Sequence, residues 1–212
     1  VESMSRAPFV MPKAETAFSR HAEVHDTTIG WRFINPVLKK QYGVESMPET
    51  GENVAEDFKV SREDQDAFAL RSQAKAAAAQ RNGRLAREIV AVTIPQRKGD
   101  PVMVDTDEHP RIEWDGEKYV LDTSPEVLAK LRAVFRKGGT VTAGNASGLN
   151  DGAAALVLMT AEKAQSLGLK PLARWLASGA AGVDPRVMGL GPVGATRKAL
   201  QRANLALDQI DL

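Results

Sequence analysis

Two short apolar stretches in the second half of the chain have the length of strands. Residues 153–159 read AAALVLM without interruption, and residues 172–180 form a second stretch rich in apolar side chains. An apolar run of this length, bounded by turn residues, is too short for a typical helix and is typical of a strand buried on both faces. The pattern therefore predicts two strands, the first of them buried on both faces.

Apolar residues at helical spacing, together with capping residues, predict five helices. These helices are expected at residues 50–58, 61–81, 124–135, 160–167 and 192–203. Thr50, Ser61 and Ser124 stand where a side-chain oxygen can cap a first turn. Asn82 and Gly83 suit the left-handed backbone that ends a helix. The longest helix is predicted to bury a stripe made of Ala67, Leu70, Ala74, Ala77 and Ala78.

Two strand pairs are predicted between the longest helix and the helix that follows Ser124. Residues 89–94 and 102–104 are rich in β-branched side chains, and Gly99-Asp100-Pro101 makes a turn between them. Asp115-Gly116, between residues 112–114 and 118–120, is a strong signal for a tight hairpin.

Composition and charge argue against nucleic-acid binding and against a membrane-spanning segment. The 212 residues are 43% hydrophobic, and 28 Lys and Arg oppose 27 Asp and Glu, for a net charge of +1. A nucleic-acid-binding surface needs a strong excess of basic residues, which this charge balance does not give. No apolar run approaches the roughly 20 residues that span a bilayer. With no signal segment at its start, the chain is predicted to be soluble and cytoplasmic.

Cysteine is absent, which excludes disulfides, thiolate metal sites and a cysteine nucleophile within this chain. His21 and His25 are four residues apart, but no third ligand stands at a matching spacing, so we interpret them as solvated and expect no metal. The chain starts at Val1 and stops where an apolar run begins at Ile210. We interpret it as the middle of a longer protein.

The most specific sequence motif lies in the loop that precedes the first apolar stretch. Residues 140–150 mix small and polar side chains that suit tight turns and close backbone approach. The segment GTVTAGNASGLNDGAAA closely resembles the thiolases, enzymes that cleave or form 3-oxoacyl-CoA with coenzyme A (CoA). VESMSRAPF, ENVAEDFKVSREDQDAFALRSQ and VMGLGPVGATRKAL extend the resemblance, in family order, over essentially the whole chain.

The resemblance implies an α/β, thiolase-like fold of two similar halves with an inserted loop domain, of which only the central part is present. Residues 1–149 would be the loop domain, which grips CoA and helps subunits pair into tetramers. Residues 150–168 would end the N-terminal half, and residues 169–212 would begin the C-terminal half.

The family's CoA contacts carry over where the motifs match. The resemblance therefore implies that the following residues contact CoA: Leu131 and Phe135 in KLRAVF, Ala143 in TAG, Ser147 in NASG and Arg111 in DEHPR. A pantetheine arm needs a narrow slot with small and apolar walls, and a hydroxyl can satisfy one of its amides. An Arg suits the phosphates at the nucleotide end of CoA. The alternatives are that Leu131 and Phe135 only pack on the inner face of a helix, and that Arg111 pairs with Asp107 or Glu108.

The family's catalytic groups fall outside this chain, so no residue here is assigned a catalytic role and no cofactor is expected, since CoA is a substrate. Acetoacetyl-type enzymes carry a His where this chain has Ser46 and a Ser where it has Val127. DTTIGWRFINP and SMPETGENVA also resemble the enzymes that cleave 3-oxoadipyl-CoA with CoA to succinyl-CoA and acetyl-CoA in aromatic degradation. An acetoacetyl-CoA or general 3-ketoacyl-CoA thiolase remains the alternative within the family. A non-catalytic module for CoA binding or oligomerisation is the alternative from another class.

Overall fold

A computed structural model describes residues 1–117 and 119–211 as two compact units. The first unit comprises Val1–Val54 with Leu149–Leu212, and the second comprises Ala55–Gly148. The described helices are α1 (Pro36–Tyr42), α2 (Met47–Phe58), α3 (Arg62–Arg81), α4 (Pro125–Ala129), α5 (Ala161–Ser166) and α6 (Gly191–Ala203). No described helix is both long and apolar enough to cross a bilayer.

The described strands form four antiparallel pairs. Their bounds are β1 (Glu2–Ser3), β2 (Phe9–Val10), β3 (His25–Asp26), β4 (Val92–Ile94), β5 (Val102–Val104), β6 (Ile112–Trp114), β7 (Tyr119–Leu121) and β8 (Asp151–Gly152). β1 pairs with β8, β2 with β3, β4 with β5, and β6 with β7. The two strand pairs expected from the sequence are thus confirmed, although the first strand covers Val92–Ile94 and not the whole of residues 89–94. Lys118, which the prediction placed at the start of the second hairpin strand, lies outside the described residues.

The predicted caps of α3 and α4 are present. The Ser61 hydroxyl accepts a hydrogen bond from the Asp64 N–H at 3.0 Å, and the Ser124 hydroxyl accepts one from the Val127 N–H at 3.3 Å. Gly83, with φ of 71°, takes the left-handed conformation just after α3. The predicted inner stripe of α3 is buried or half-buried except at Ala67, which is exposed.

The predicted start of α2 at Thr50 is wrong. The helix begins at Met47, and the Thr50 hydroxyl instead donates to the Met47 carbonyl at 2.7 Å. Ser46 precedes the first turn, and its N–H and hydroxyl both donate to Glu49 Oε2, at 2.8 and 3.0 Å. This pairing of a serine with a glutamate three residues on secures the helix start, so Ser46 rather than Thr50 has the capping role.

The predicted strand at residues 153–159 is not formed. The strand in this segment is limited to β8, which pairs with β1, and Leu156 and Val157 are 88% and 86% exposed. A strand needs a neighbour that accepts and donates its backbone hydrogen bonds. Because no described segment pairs with residues 153–159, the apolar run stays irregular and uncovered.

The predicted strand at residues 172–180 is likewise absent, and its end lies against α6. Lys198 Nζ donates to the Ala180 carbonyl at 2.9 Å, and Arg202 donates to the Ser178 carbonyl at 2.7 Å. A Cβ on Gly179 would come within 2.3 Å of the Ala195 carbonyl oxygen, so this glycine permits the close approach. Side chains of α6 therefore bind two backbone carbonyls of this segment.

The second unit is built around α3, which packs against α4 and β7. Ala77 of α3 and Leu128 of α4 are only 3% and 4% exposed and belong to its core. The α4 helix ends at Ala129, so the prediction that it carries Leu131 and Phe135 on an apolar stripe is wrong. Both residues lie in the irregular segment after the helix, which runs toward the loop at residues 140–147.

Candidate functional site

The loop at residues 140–147 is held in one conformation by its own side chains. Thr142 is fully buried, its N–H donates to Asn145 Oδ1 at 2.8 Å, and its hydroxyl accepts from the Gly144 N–H at 3.1 Å. The Ala146 N–H donates to the Thr142 carbonyl at 3.1 Å. These short-range bonds satisfy the backbone groups that a tight loop would otherwise leave unpaired.

Gly144 brings this loop into direct contact with the segment around α4. A Cβ at Gly144 would lie 2.5 Å from Leu128 Cδ2 and 2.6 Å from Leu131 Cδ1, closer than real Cβ contacts allow. Only a residue without a side chain fits there. The apolar side chain of Leu131 thus packs directly on the backbone of the TAG sequence, and the two segments form adjoining walls of the predicted CoA slot.

The other side chains assigned to this slot are accessible. Ala143 and Ser147 are exposed, and Phe135 is 43% exposed. Among the described residues, the Ser147 hydroxyl has no hydrogen-bond partner, so it is available to a ligand. Leu131 is half-buried and meets the loop through Gly144. The described contacts join Leu131 to the loop that carries Ala143 and Ser147.

Arg111 lies beside the middle of α3, at the foot of the β6–β7 hairpin. Its N–H donates to Gln73 Oε1 on α3 at 2.7 Å, and its carbonyl accepts from the Asp122 N–H at 2.9 Å. Within the described residues, its guanidinium pairs with neither Asp107 nor Glu108. The backbone of Arg111 is therefore anchored while its side chain stays exposed. No described contact links it to the slot.

A hydrogen-bonded network that the sequence analysis missed connects α3 to both walls of the slot. Arg62 Nε donates to Asp66 Oδ2 at 2.7 Å, and Arg62 Nη2 donates to the carbonyls of Leu128 and Leu131 at 2.6 and 3.1 Å. Asn145 Nδ2 donates to Asp66 Oδ1 at 2.9 Å. The sequence signal was the Arg and Asp at i and i+4 on one helix face, a spacing that brings such side chains together.

One carboxyl on α4, that of Glu126, has a shifted pKa. The hydroxyl of Ser124 donates to Glu126 at 2.7 Å and, with a backbone hydrogen bond, lowers the pKa of this carboxyl from its ordinary value. Among the described residues, no three His, Cys, Asp or Glu side chains converge as a metal site. The described residues here therefore offer exposed small, apolar and hydroxyl groups and no cysteine nucleophile.

An apolar groove lies along the first part of the predicted inner stripe of α3. Its volume is about 730 Å³, and its walls include Ala67, Leu70 and Ala74 of α3 together with Leu121 and Pro125. The groove contains none of the five residues predicted to contact CoA.

Comparisons with known proteins place the chain in a family. The family described as "Thiolase, N-terminal domain" matches residues 1–162, and "Thiolase, C-terminal domain" matches residues 169–212. The chain belongs to the thiolase family, whose members act on CoA thioesters. The fold class expected from the sequence, α/β and thiolase-like, is confirmed by the structural neighbour described next.

The most informative relatives are bacterial thiolases. The chain is 58% identical over all its 212 residues to a beta-ketoadipyl-CoA thiolase of Pseudomonas aeruginosa, covering 50% of that protein. It is 56% identical to a 3-oxoadipyl-CoA/3-oxo-5,6-dehydrosuberyl-CoA thiolase of Escherichia coli, covering 51% of it. The crystal structure of the Bacillus anthracis acetyl-CoA acetyltransferase matches the whole chain with a TM-score of 0.82 at 40% identity, over 50% of its own length.

The chain spans about half the length of the curated relatives it matches. The two family matches meet between residues 162 and 169, whereas the compact units meet near residues 54 and 148. The division into a loop domain at residues 1–149 and parts of two halves stays a prediction, as do the five CoA contacts.

Proposed function

We propose that this chain is the central, CoA-gripping part of a thiolase that cleaves 3-oxoadipyl-CoA with CoA to succinyl-CoA and acetyl-CoA. The observation that carries the proposal is 58% identity over the entire chain to a beta-ketoadipyl-CoA thiolase. The acetyl-CoA acetyltransferase of known structure is less similar, at 40% identity. CoA takes part as a substrate, and no cofactor is required.

The geometry of the second unit supports the binding role. Gly144 packs on Leu131, and the neighbouring Ala143 methyl and Ser147 hydroxyl are exposed. A pantetheine arm alternates apolar carbons with amides, so it matches a slot with apolar walls and one free hydroxyl. Arg111 would contact phosphate at the nucleotide end, because its side chain is exposed and presents several donors.

Two substituted positions support the 3-oxoadipyl substrate over acetoacetyl-CoA. Acetoacetyl-type enzymes carry a ligand-contacting His where this chain has Ser46, and both donors of Ser46 are occupied by Glu49. Val127 stands where the acetoacetyl-type enzymes have a Ser, and its side chain has no hydroxyl. Each of these positions therefore lacks a polar group that the acetoacetyl-type enzymes carry there.

The activity is tested on the full-length protein that contains these residues. Purified protein is incubated with CoA and either 3-oxoadipyl-CoA or acetoacetyl-CoA, and succinyl-CoA and acetyl-CoA are quantified by chromatography. The proposal expects a higher kcat/KM with 3-oxoadipyl-CoA. A preference for acetoacetyl-CoA would instead support the acetyltransferase activity of the structural neighbour. CoA binding without turnover of either thioester would support the non-catalytic module.

The proposal also covers the oligomeric state and the cellular location of the full-length protein. We expect a cytoplasmic homotetramer in which residues of the predicted loop domain contribute to subunit pairing. Large apolar side chains at the start of the chain are exposed, including Phe18 at 101% and Trp31 at 61%, as contact surfaces between subunits would be before assembly. Light scattering of the full-length protein measures the mass of the assembly, and a monomer would contradict this part of the proposal.

A further inference from the structure

The Arg62–Asp66–Asn145 network touches both walls of the slot without lining it. Arg62 binds the carbonyls of Leu128 and Leu131, which belong to the apolar wall. Asn145 belongs to the small-residue wall and lies 79 residues from Asp66 in the sequence. One carboxylate therefore joins two segments that approach each other only in the folded unit.

The geometry of Asp66 leaves little freedom to either wall. Its Oδ2 accepts from Arg62 at 2.7 Å and its Oδ1 accepts from Asn145 at 2.9 Å, so each oxygen serves one wall. The side chains of Arg62 and Asp66 are only 21% and 12% exposed. Partly buried, charge-assisted hydrogen bonds are shorter and stronger than neutral ones and restrict their partners in position.

Asn145 passes this constraint to the residues that would face a ligand. Its Nδ2 also donates to the Thr140 carbonyl at 3.1 Å, and its Oδ1 accepts from the Thr142 N–H. A single side chain thus fixes both ends of the turn that contains Ala143 and Gly144. On the other side, the Leu131 carbonyl bound by Arg62 belongs to the residue whose Cδ1 packs against Gly144.

We propose that Arg62, Asp66 and Asn145 are positioning residues that hold the loop of Ala143 and Ser147 against Leu131, and so fix where the predicted CoA contacts stand relative to one another. The inference rests on the proposed function, because it takes the ligand of the slot to be the pantetheine arm of CoA. None of the three residues needs to touch CoA. Loss of the Asp66 charge would let the loop shift relative to Leu131, so CoA could no longer meet both sets of contacts at once.

The test uses the full-length enzyme with Asp66→Asn, which keeps the side-chain shape and removes the charge. We expect the KM for CoA to rise by about tenfold, since displacement of binding groups by about 1 Å costs up to about a hundredfold. The kcat at saturating CoA should change little. A merely structural role would give the opposite split, with a smaller active fraction, lower kcat and an unchanged KM, and that result would overturn the inference.

A matched control and a compensating pair sharpen the test. Arg84 and Glu88 form another i, i+4 ion pair in the same unit, but its side chains are 54% and 56% exposed, so Glu88→Gln should leave the KM for CoA unchanged. Asn145→Asp places a second carboxylate against Asp66, and adding Asp66→Asn restores one amide facing one carboxylate. The KM should rise in the single Asn145→Asp variant and fall back toward wild type in the double variant.

The outcomes separate the two proposals. A wild-type enzyme that turns over CoA, together with Asp66→Asn and Asn145→Asp variants of unchanged KM, would overturn the positioning role and leave the proposed function intact. A wild-type protein that neither turns over nor binds CoA would overturn both. If Asp66→Asn does not fold, the comparison of Asn145→Asp with the double variant decides, and no recovery in the double variant counts against the inference.

Discussion

The Leu131 side chain occupies the space that a side chain at Gly144 would need. A Cβ built on Gly144 would lie only 2.6 Å from Leu131 Cδ1. Gly144→Ala should therefore destabilise the protein by about 1 to 3 kcal/mol, the usual range for an overpacked site. Denaturant unfolding of the full-length protein measures the loss. Gly182→Ala serves as the control, since a Cβ there meets no atom within 4 Å, and equal losses at both positions would contradict the packing argument.

Ser147→Leu tests the hydroxyl predicted to meet a pantetheine amide. The side chain is exposed, so the larger residue should be tolerated by the fold while it obstructs the slot. We expect the KM for CoA in the full-length enzyme to rise, with the melting temperature close to that of wild type. An unchanged KM would remove Ser147 from the site. A large fall in melting temperature would show instead that Ser147 supports the fold.

Arg111→Glu tests the predicted phosphate contact. The substitution reverses a charge whose backbone is anchored to Gln73 and Asp122, so it should perturb the ligand more than the fold. CoA should bind more weakly, whereas a short pantetheine thioester, which lacks the nucleotide, should be used almost as well as by wild type. Steady-state kinetics with both substrates makes the comparison. Equal losses for both would show that Arg111 does not read the phosphates.

Asp151 is expected to titrate below the ordinary range for an aspartate. The Ser5 hydroxyl donates to Asp151 Oδ2 and the Ser5 N–H donates to its Oδ1 at 2.9 Å, and these bonds lower the pKa of the carboxyl. A lowered pKa in the folded state stabilises the fold above the ordinary aspartate pKa, and the contribution is lost as the pH falls through the folded-state value.

Ser5→Ala should therefore raise the pKa of Asp151 toward its ordinary value, and an NMR titration of the carboxyl carbon measures the change. Ser3→Ala is the matched control, because Ser3 lies opposite Asp151 in the β1–β8 pair and makes no side-chain bond to it. A pKa of Asp151 that is the same with and without the Ser5 hydroxyl would contradict the assigned cause.

The 212-residue chain alone should show no thiolysis. It contains no cysteine, and thiolases form their acyl intermediate on a cysteine thiolate. Incubation of the purified chain with 3-oxoadipyl-CoA and CoA should yield no succinyl-CoA, while the full-length enzyme under the same conditions should yield it. Product formed by the chain alone would show that another nucleophile acts here.

Features that depend on neighbours in sequence were predictable. Ser61 and Ser124 cap their helices because a hydroxyl reaches an N–H only three residues away. The Asp115-Gly116 turn gives the β6–β7 hairpin because the left-handed backbone that the turn needs, with φ of 103° at Gly116, suits glycine. The family and its fold were also accessible from the sequence, because its motifs are specific and cover the whole chain.

Features that depend on distant partners were decided only by the tertiary structure. Residues 153–159 and 172–180 have the composition of strands, but strands need a neighbour, and in the described chain Lys198 and Arg202 bind carbonyls of the second segment instead. The link between Asp66 and Asn145 joins residues that no local pattern relates. The sequence alone therefore determined the caps of α3 and α4, the hairpins and the family. The three-dimensional packing decided which side chains hold the two walls of the slot together, because hydrogen bonds and contacts between distant segments form only in the folded chain.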